Sequence, residues 1–293
     1  MPQSSFRFAS ANQGSNPRET AVRLPGTAKP RGNHEPVTHD RGHASNSKVK
    51  RILFIGAHPD DETFLFGGTL AKYAEEGAQV TVVCATRGER GKTGDVCRAE
   101  ELPRVREQEL RRACAALGIQ DVRFLSYIDR ELMKAPVEQI RRELVEVIRG
   151  TRPQLVLTFD PNGLNQHTDH VAISRFVCDA VWAAADPRWF PEWPAHRVQR
   201  VLWPTPILPY KLVDTANLPN QPGVDFVMDV HPWLQKKKEA LCAHRTQLPG
   251  LRKLFFEREN SEACLSIEAL RIGFGPRPGV VPGRDLFEGI EEH

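Results

Sequence analysis

A chain of 293 residues is long enough to bury a full-sized core. It has no apolar run near twenty residues, so a transmembrane helix is not expected. The formal charge of +3 hides a division: residues 1–50 carry 8 Lys/Arg against 3 Asp/Glu, and the remaining 32 basic and 34 acidic residues leave −2; without a basic stripe on the folded part, nucleic acid is not an expected partner.

Residues 1–48 are rich in Ser, Asn, Gly, Pro, Arg and His with no apolar period. They predict a disordered tail, because they bury too little surface to offset chain entropy. The Arg and Ser content faintly resembles a transit peptide; an appended or species-specific extension reads the same way. No secretory signal is expected. Residues 49–293 are expected to form one domain. Arg51–Gly56 is a short apolar run ending in a turn, as a strand buried on both faces would be. A helical stripe follows through Phe64, Leu65, Leu70, Ala71 and Ala74, stopped at Gly77. Val80–Cys84 is a strand, 86–98 a Gly-rich polar loop, 100–117 a helix and 122–125 a strand. A helix over 136–148, a strand over 154–159 and a helix from about Thr168 to Ala184 continue the alternation. Strand and helix alternating at this spacing predict an α/β, Rossmann-like, mostly parallel sheet flanked by helices. Beyond Ala185 the pattern weakens to strands at 198–203 and 225–230 and a helix at about 232–246. The Pro- and Trp-rich stretch 186–224 is where a specificity loop is expected. The tryptophans at 182, 189, 193, 203 and 233 read first as core. Six cysteines without a Cys-x-x-Cys pair suit reduced thiols and a cytoplasmic protein.

The chemistry sits where strands end. The first strand runs into Ala57-His58-Pro59-Asp60-Asp61-Glu62. A dinucleotide site needs glycines at this turn so that backbone can approach a pyrophosphate; an imidazole and three carboxylates would repel one. The same groups suit a borderline cation such as zinc. Pro59 stiffens the turn, so His58 and Asp61 can converge while Asp60 is displaced toward a water's proton. The fourth strand ends in Asp160-Pro-Asn-Gly-Leu-Asn-Gln-His167-Thr-Asp169-His170, with His167 and His170 one helical turn apart. If the strand order is 3-2-1-4-5, the two turns face one crevice. Three protein ligands would leave a fourth position open, as in catalytic zinc sites.

The pairing of His58-Pro-Asp-Asp-Glu62 with His167-Thr-Asp-His170 resembles the PIG-L/LmbE-like N-deacetylase family over roughly residues 50–250. The Thr86–Gly91 loop, the Arg106/Glu109/Ala113/Leu117-Gly118 pattern and Lys238–Gln247 corroborate it. The resemblance implies a Rossmann-like fold and a zinc-dependent hydrolase removing the acetyl group from an N-acetylglucosamine-type conjugate. It implies His58, Asp61 and His170 as ligands of one Zn2+, with Fe2+ as the substitute metal. It further implies Asp60 as general base and a cationic His167, oriented by Asp169, meeting the oxyanion. Arg98 is a candidate clamp for a substrate hydroxyl or phosphate, with Lys92 as its rival; a solvated loop charge is the plain alternative. His244 is read as lining the site or a contact in a homo-oligomer, against a packing role. Glu62 reads equally as a first-turn acid or as support behind the metal, and the lysines at 236–238 read as a solvated face. Two rival functions share this site: an amidase for larger conjugate amides, and a catalytically silent sugar-binding module. The retained Asp60 and His167 count against the latter, since binding needs no base.

Overall fold

The computed structural model describes residues 49–205, 223–257 and 259–291. The expected tail at 1–48, and 206–222 of the expected specificity stretch, lie outside the described residues.

β1 (Arg51–Gly56) leads into α1 (Asp61–Glu75), β2 (Gln79–Cys84), α2 (Leu102–Ala116), β3 (Asp121–Phe124), α3 (Val137–Thr151) and β4 (Leu155–Leu157). After these come α4 (Gly163–Gln166), α5 (Thr168–Ala185), β5 (Arg200–Pro204), β6 (Phe226–Asp229) and α6 (Leu234–Ala243). The chain closes with α7 (Leu248–Leu251), α8 (Ser261–Ser266) and β7 (Ile267–Phe274). The sheet order is β3-β2-β1-β4-β5-β7-β6. Its first five strands are parallel and carry the expected 3-2-1-4-5 arrangement; β7 runs antiparallel to both β5 and β6.

Right-handed crossovers explain the layering. The chain moves outward from β1 through β2 to β3, then jumps back to β4 and onward to β5, so α1 and α2 lie on one face and α3 and α5 on the other. α6 joins α1 and α2, while α3 packs on α5. The direction of winding reverses between β1 and β4, which opens a crevice beyond their carboxyl ends. The central strands are buried on both faces: Ile52, Leu53, Phe54, Ile55, Val82, Val83, Leu155, Val156 and Leu157 all belong to one core.

Two sequence expectations change, and one strand is new. Lys237 is not part of a solvated face: it is buried, and its Nζ meets Glu268 Oε1 at 2.6 Å. Glu268 also accepts the backbone N–H groups of Gly68 and Thr69, so the charge is paired and its acceptors are filled, as a buried ion requires. Trp182 and Trp189 are exposed rather than core. β7 forms where the sequence pattern predicts no strand. None of the six cysteines is in a disulfide; Cys84, Cys114 and Cys264 are buried and Cys242 is exposed.

Candidate functional site

β1 ends at Gly56, and Ala57-His58-Pro59-Asp60 turns the chain into α1. Asp61 clamps that turn: its Oδ2 accepts the N–H of Ala57 at 2.9 Å and of His58 at 2.8 Å. Asp60 occupies the N-cap position with φ at 120° and no side-chain cap hydrogen bond, so helix capping does not account for its carboxylate. It faces Arg106 Nη2 at 3.4 Å. Glu62 is buried beneath, accepting the Asp60 N–H at 3.1 Å and meeting His244 Nε2 at 2.9 Å.

On the neighbouring strand, β4 leads through α4 to His167, the N-cap of α5, whose Nδ1 accepts the Asp169 N–H at 3.2 Å. One turn on, His170 lies flat against Phe159, with ring centroids 3.9 Å apart. Its Nδ1 faces two acceptors, Gly163 O at 3.2 Å and Asn165 Oδ1 at 3.1 Å, so that nitrogen carries the proton and Nε2 keeps its lone pair.

The two turns meet. His58 Nδ1 stands 3.2 Å from His170 Nε2. Asp61 Oδ1 is 3.4 Å from His170 Nε2, and Asp61 Oδ2 is 4.0 Å from His58 Nδ1. The other His58 nitrogen, Nε2, faces Asp129 Oδ1 and Asp169 Oδ2, both at 3.1 Å. A ring between two carboxylates donates to them through Nε2–H, which leaves Nδ1 as a lone pair aimed at that of His170. Two such lone pairs repel unless a proton or a metal lies between them. Ligands about 2 Å from a tetrahedral zinc stand roughly 3.3 Å apart, so the donor set fits a small divalent cation.

The charge balance agrees. Burial disfavours the His58 cation, yet Asp129, Asp169 and Asp61 push its imidazole up to about 10. Burial also opposes ionisation of Asp61, but His170 and His58 bring its carboxyl down to about 2. The site therefore holds carboxylates that call for a positive charge. Asp60 differs: burial, helped by Asp61 and Glu62 and resisted by Arg106, raises it to about 6. Burial, with His58 and His170 alongside, lowers His167 below its ordinary value.

A second grouping, His58 with Asp129 and Asp169, also brings ligand atoms together, as does His58 with His167 and His170. The first would use Nε2 of His58, and one ring cannot direct both nitrogens at one ion. It would also leave the paired lone pairs of His58 and His170 unanswered.

Other sequence candidates fall differently. The Asp169 carboxylate meets His58 and the backbone N–H groups of Arg130 and Leu132, not the His167 ring. Toward His167 it is the Asp169 backbone N–H, not the carboxylate, that makes the contact. The Arg98 side chain is 73% exposed and pairs with Glu100 and Glu101. Lys92 is exposed, and its carbonyl accepts from Gln247 Nε2 at 2.8 Å. His244 is fully buried behind Glu62. None of the three lines the cleft, whose polar side chains besides the histidines are Asp60, Asp61, Arg106, Asp129, Arg130, Asn165 and Gln247. Asp129 was missed by sequence reasoning, although it follows β3 as His58 follows β1. Arg106 stood in a corroborating pattern without a role; it lies buried, donating to Gly88 O and Pro59 O and facing Asp60.

Among known proteins, a family model described as PIG-L, GlcNAc-PI de-N-acetylase, matches residues 53–181. The 1D-myo-inositol 2-acetamido-2-deoxy-alpha-D-glucopyranoside deacetylase of Thermomonospora curvata is 34% identical over 291 residues, covering 82% of this chain and 97% of that protein. The protein of the same name from Thermobifida fusca is 35% identical, covering 81% and 99%. The structure of N,N'-diacetylchitobiose deacetylase from Pyrococcus horikoshii shares the fold, with a TM-score of 0.61 at 23% identity over 76% of this chain and 84% of that one. The chain belongs to the PIG-L family of GlcNAc de-N-acetylases.

Proposed function

We propose that His58, Asp61 and His170 hold one zinc ion, with Fe2+ as the alternative metal, and that the chain uses it to remove the acetyl group from an N-acetylglucosamine-type conjugate. The chain is an N-deacetylase, a hydrolase of an amide C–N bond. The observation that carries the metal assignment is the 3.2 Å approach of His58 Nδ1 to His170 Nε2, with Asp61 Oδ1 3.4 Å from the latter and its Oδ2 4.0 Å from the former. When bound, such an ion lowers the pKa of a water and polarises the acetyl carbonyl.

The rest is the work of this chain's residues. Asp60 accepts the proton of the attacking water; a carboxyl raised to about 6 is matched to that task near neutral pH. Arg106 holds the Asp60 carboxylate from behind. With Nδ1 accepting the Asp169 N–H, His167 presents its proton on Nε2 and meets the oxyanion as a neutral donor. This replaces the cationic His167 expected from sequence, since its surroundings depress protonation. Asp60 then returns its proton to the leaving amine. Asp169, with Asp129, keeps the His58 tautomer that aims Nδ1 at the metal.

Arg130, which lines the cleft, takes over the sugar-binding role expected of Arg98 and Lys92. The inositol glycosides in the names of the relatives support an amino-sugar conjugate as substrate. Free thiols support a reducing, cytoplasmic setting, and among the described residues no helix is long and apolar enough to cross a membrane.

The test is acetate release from a panel of N-acetylglucosaminides by protein with measured metal content, with Asp60→Asn in parallel. Acetate release that tracks bound zinc and collapses in the variant supports the proposal. Metal-free protein of full activity, or no release from any member, overturns it.

A further inference from the structure

β7 lies outside the parallel half of the sheet, yet one of its side chains reaches the turn behind His170. Arg271 stands opposite Trp203 in the β5–β7 register and lays its guanidinium over that ring, 5.3 Å from the centroid. Its Nε is buried without a hydrogen-bond partner. Its Nη2 donates to Asp160 Oδ2 at 2.9 Å. The Asp160 side chain is 1% exposed, and among the described residues no other cation pairs with it. A carboxylate so buried needs that counter-charge.

Asp160 in turn shapes the segment that follows β4. Its Oδ1 accepts the Leu164 N–H at 2.6 Å, its Oδ2 the Asn162 N–H at 3.3 Å and its carbonyl the Gly163 N–H at 2.8 Å. That backbone does not hold itself. Leu164 at φ 62° and ψ −56° and Gln166 at φ 65° are left-handed, where such side chains are strained, so surrounding contacts must impose the shape. The segment presses on α5: a Cβ on Gly163 would lie 2.8 Å from His170 Cβ and 2.7 Å from Val171 N. It also supplies both acceptors of the His170 ring, Gly163 O at 3.2 Å and Asn165 Oδ1 at 3.1 Å from Nδ1. Asn165 Oδ1 further accepts the His167 N–H at 3.0 Å.

We infer that Arg271 is a positioning residue for the hydrolysis, acting through Asp160 and the turn at 162–165 to fix the tautomer and the aim of His170. The inference rests on the reading of His170 as a metal ligand. Each link is a hydrogen bond: guanidinium to carboxylate, backbone N–H to carboxylate, and imidazole N–H to the oxygens of Gly163 and Asn165. Charge is what the first link needs, since Nη2 alone bonds Asp160. Without it the buried carboxylate loses its counter-charge, and the strained turn loses the anion that holds the Leu164 and Asn162 N–H groups. Once the turn relaxes, Gly163 O and Asn165 Oδ1 no longer both face Nδ1. The His170 proton can then move to Nε2, the nitrogen whose lone pair a metal requires.

The experiment measures the zinc dissociation constant of the full chain by competition with a chelator. Arg271→Gln is expected to weaken zinc about tenfold, the lower end of what losing the support behind a metal ligand costs. Arg271→Lys is expected to restore the affinity, because an ammonium supplies the same charge through a single bond. Arg271→Met, whose stem still covers Trp203, tests the same loss of charge should Arg271→Gln not fold. In an Asp160→Asn background Arg271→Gln should add no further loss, since the arginine acts through that carboxylate. Gly77→Ala, destabilised far from this turn, should bind zinc as the parent does. Parent-like affinity in the neutral Arg271 variants, no rescue by lysine, a full additional loss in the Asp160→Asn background, or equal weakening in Gly77→Ala overturns the positioning role and leaves the metal site standing. Parent-like affinity in His170→Ala overturns the metal assignment and this inference with it.

Discussion

Nδ1 of His58 and Nε2 of His170 lie 3.2 Å apart, although 112 residues separate them in the chain. Each ring donates its remaining proton outward, His58 to Asp129 and Asp169 and His170 to Gly163 and Asn165. On the proposed assignment the pair shares one cation, and removing either ring removes the site. His58→Ala and His170→Ala are expected to lower bound metal from about one ion per chain to near zero. Chelation should lower the melting temperature of the parent and of neither variant, because an ion at 100 times its dissociation constant adds about 2.7 kcal/mol. Elemental analysis paired with thermal melts checks both. Parent-like metal content in His58→Ala would refute the assignment.

Adjacent carboxylates should separate by phenotype. Asp61 binds two backbone N–H groups and lies beside both histidines, whereas Asp60 turns away to Arg106. Asp60→Asn is expected to retain metal and lose about 10²- to 10⁴-fold in kcat, the usual worth of a general base. Asp61→Asn is expected to lose metal as well as activity. Metal titration alongside steady-state kinetics distinguishes them, and identical metal loss in both would merge their roles.

Gly88 tests the support behind Asp60. A Cβ there would lie 2.0 Å from Arg106 Nη1, on a backbone with φ +62°. Gly77 has φ +88° with nothing within 4 Å of its would-be Cβ. Both Gly→Ala changes carry the left-handed penalty of about 1–2 kcal/mol, but only Gly88→Ala moves the guanidinium. It is expected to cut kcat about tenfold or more with metal content intact, and Gly77→Ala to alter stability alone. Equal kinetics in the two variants would show that Arg106 is not needed to hold the base.

His244 acts at one remove: it is bonded to Glu62, which holds the Asp60 N–H. His244→Ala is expected to lower kcat roughly 10-fold with KM little changed, a range seen when residues supporting a site are removed. A raised KM at constant kcat would instead place His244 in substrate binding, one of the roles the sequence leaves open.

The parallel half of the fold was legible because its strands are continuous apolar runs and its helices end in glycines, so Arg51–Gly56 and Gln79–Cys84 read almost to the residue. The His58 and His170 turns were legible because imidazoles and carboxylates beyond strand ends have few other reasons to be there. β7 was not. Its inward positions include Glu268, buried at 2% exposure, and a glutamate there breaks the apolar alternation by which a strand is recognised. Lys237 was hidden for the same reason in a run of three lysines. Arg98 and Lys92 misled because a charge in a loop near a site carries no record of its direction, and Asp129 escaped because its partner, His58, is 71 positions away in sequence.

The pair that concealed β7 also makes a stability prediction. Lys237 Nζ lies 2.6 Å from Glu268 Oε1, with both side chains at 2% exposure or less, and Glu268 further accepts from Gly68 and Thr69 inside α1. The carboxylate thus joins α6, β7 and the helix that carries Asp61. Lys237→Met strands a buried anion with only backbone donors, which costs about 3–5 kcal/mol when one partner of a buried pair is removed. Adding Glu268→Gln removes the charge while one amide oxygen still accepts from the helix. The double variant should therefore be more stable than Lys237→Met alone, although it carries one more substitution. Urea denaturation of the parent, both single variants and the double gives the coupling directly. A double variant no more stable than Lys237→Met would mean that the anion is not what the lysine neutralises, and that its aliphatic stem, packed against Gly67, is what the fold requires.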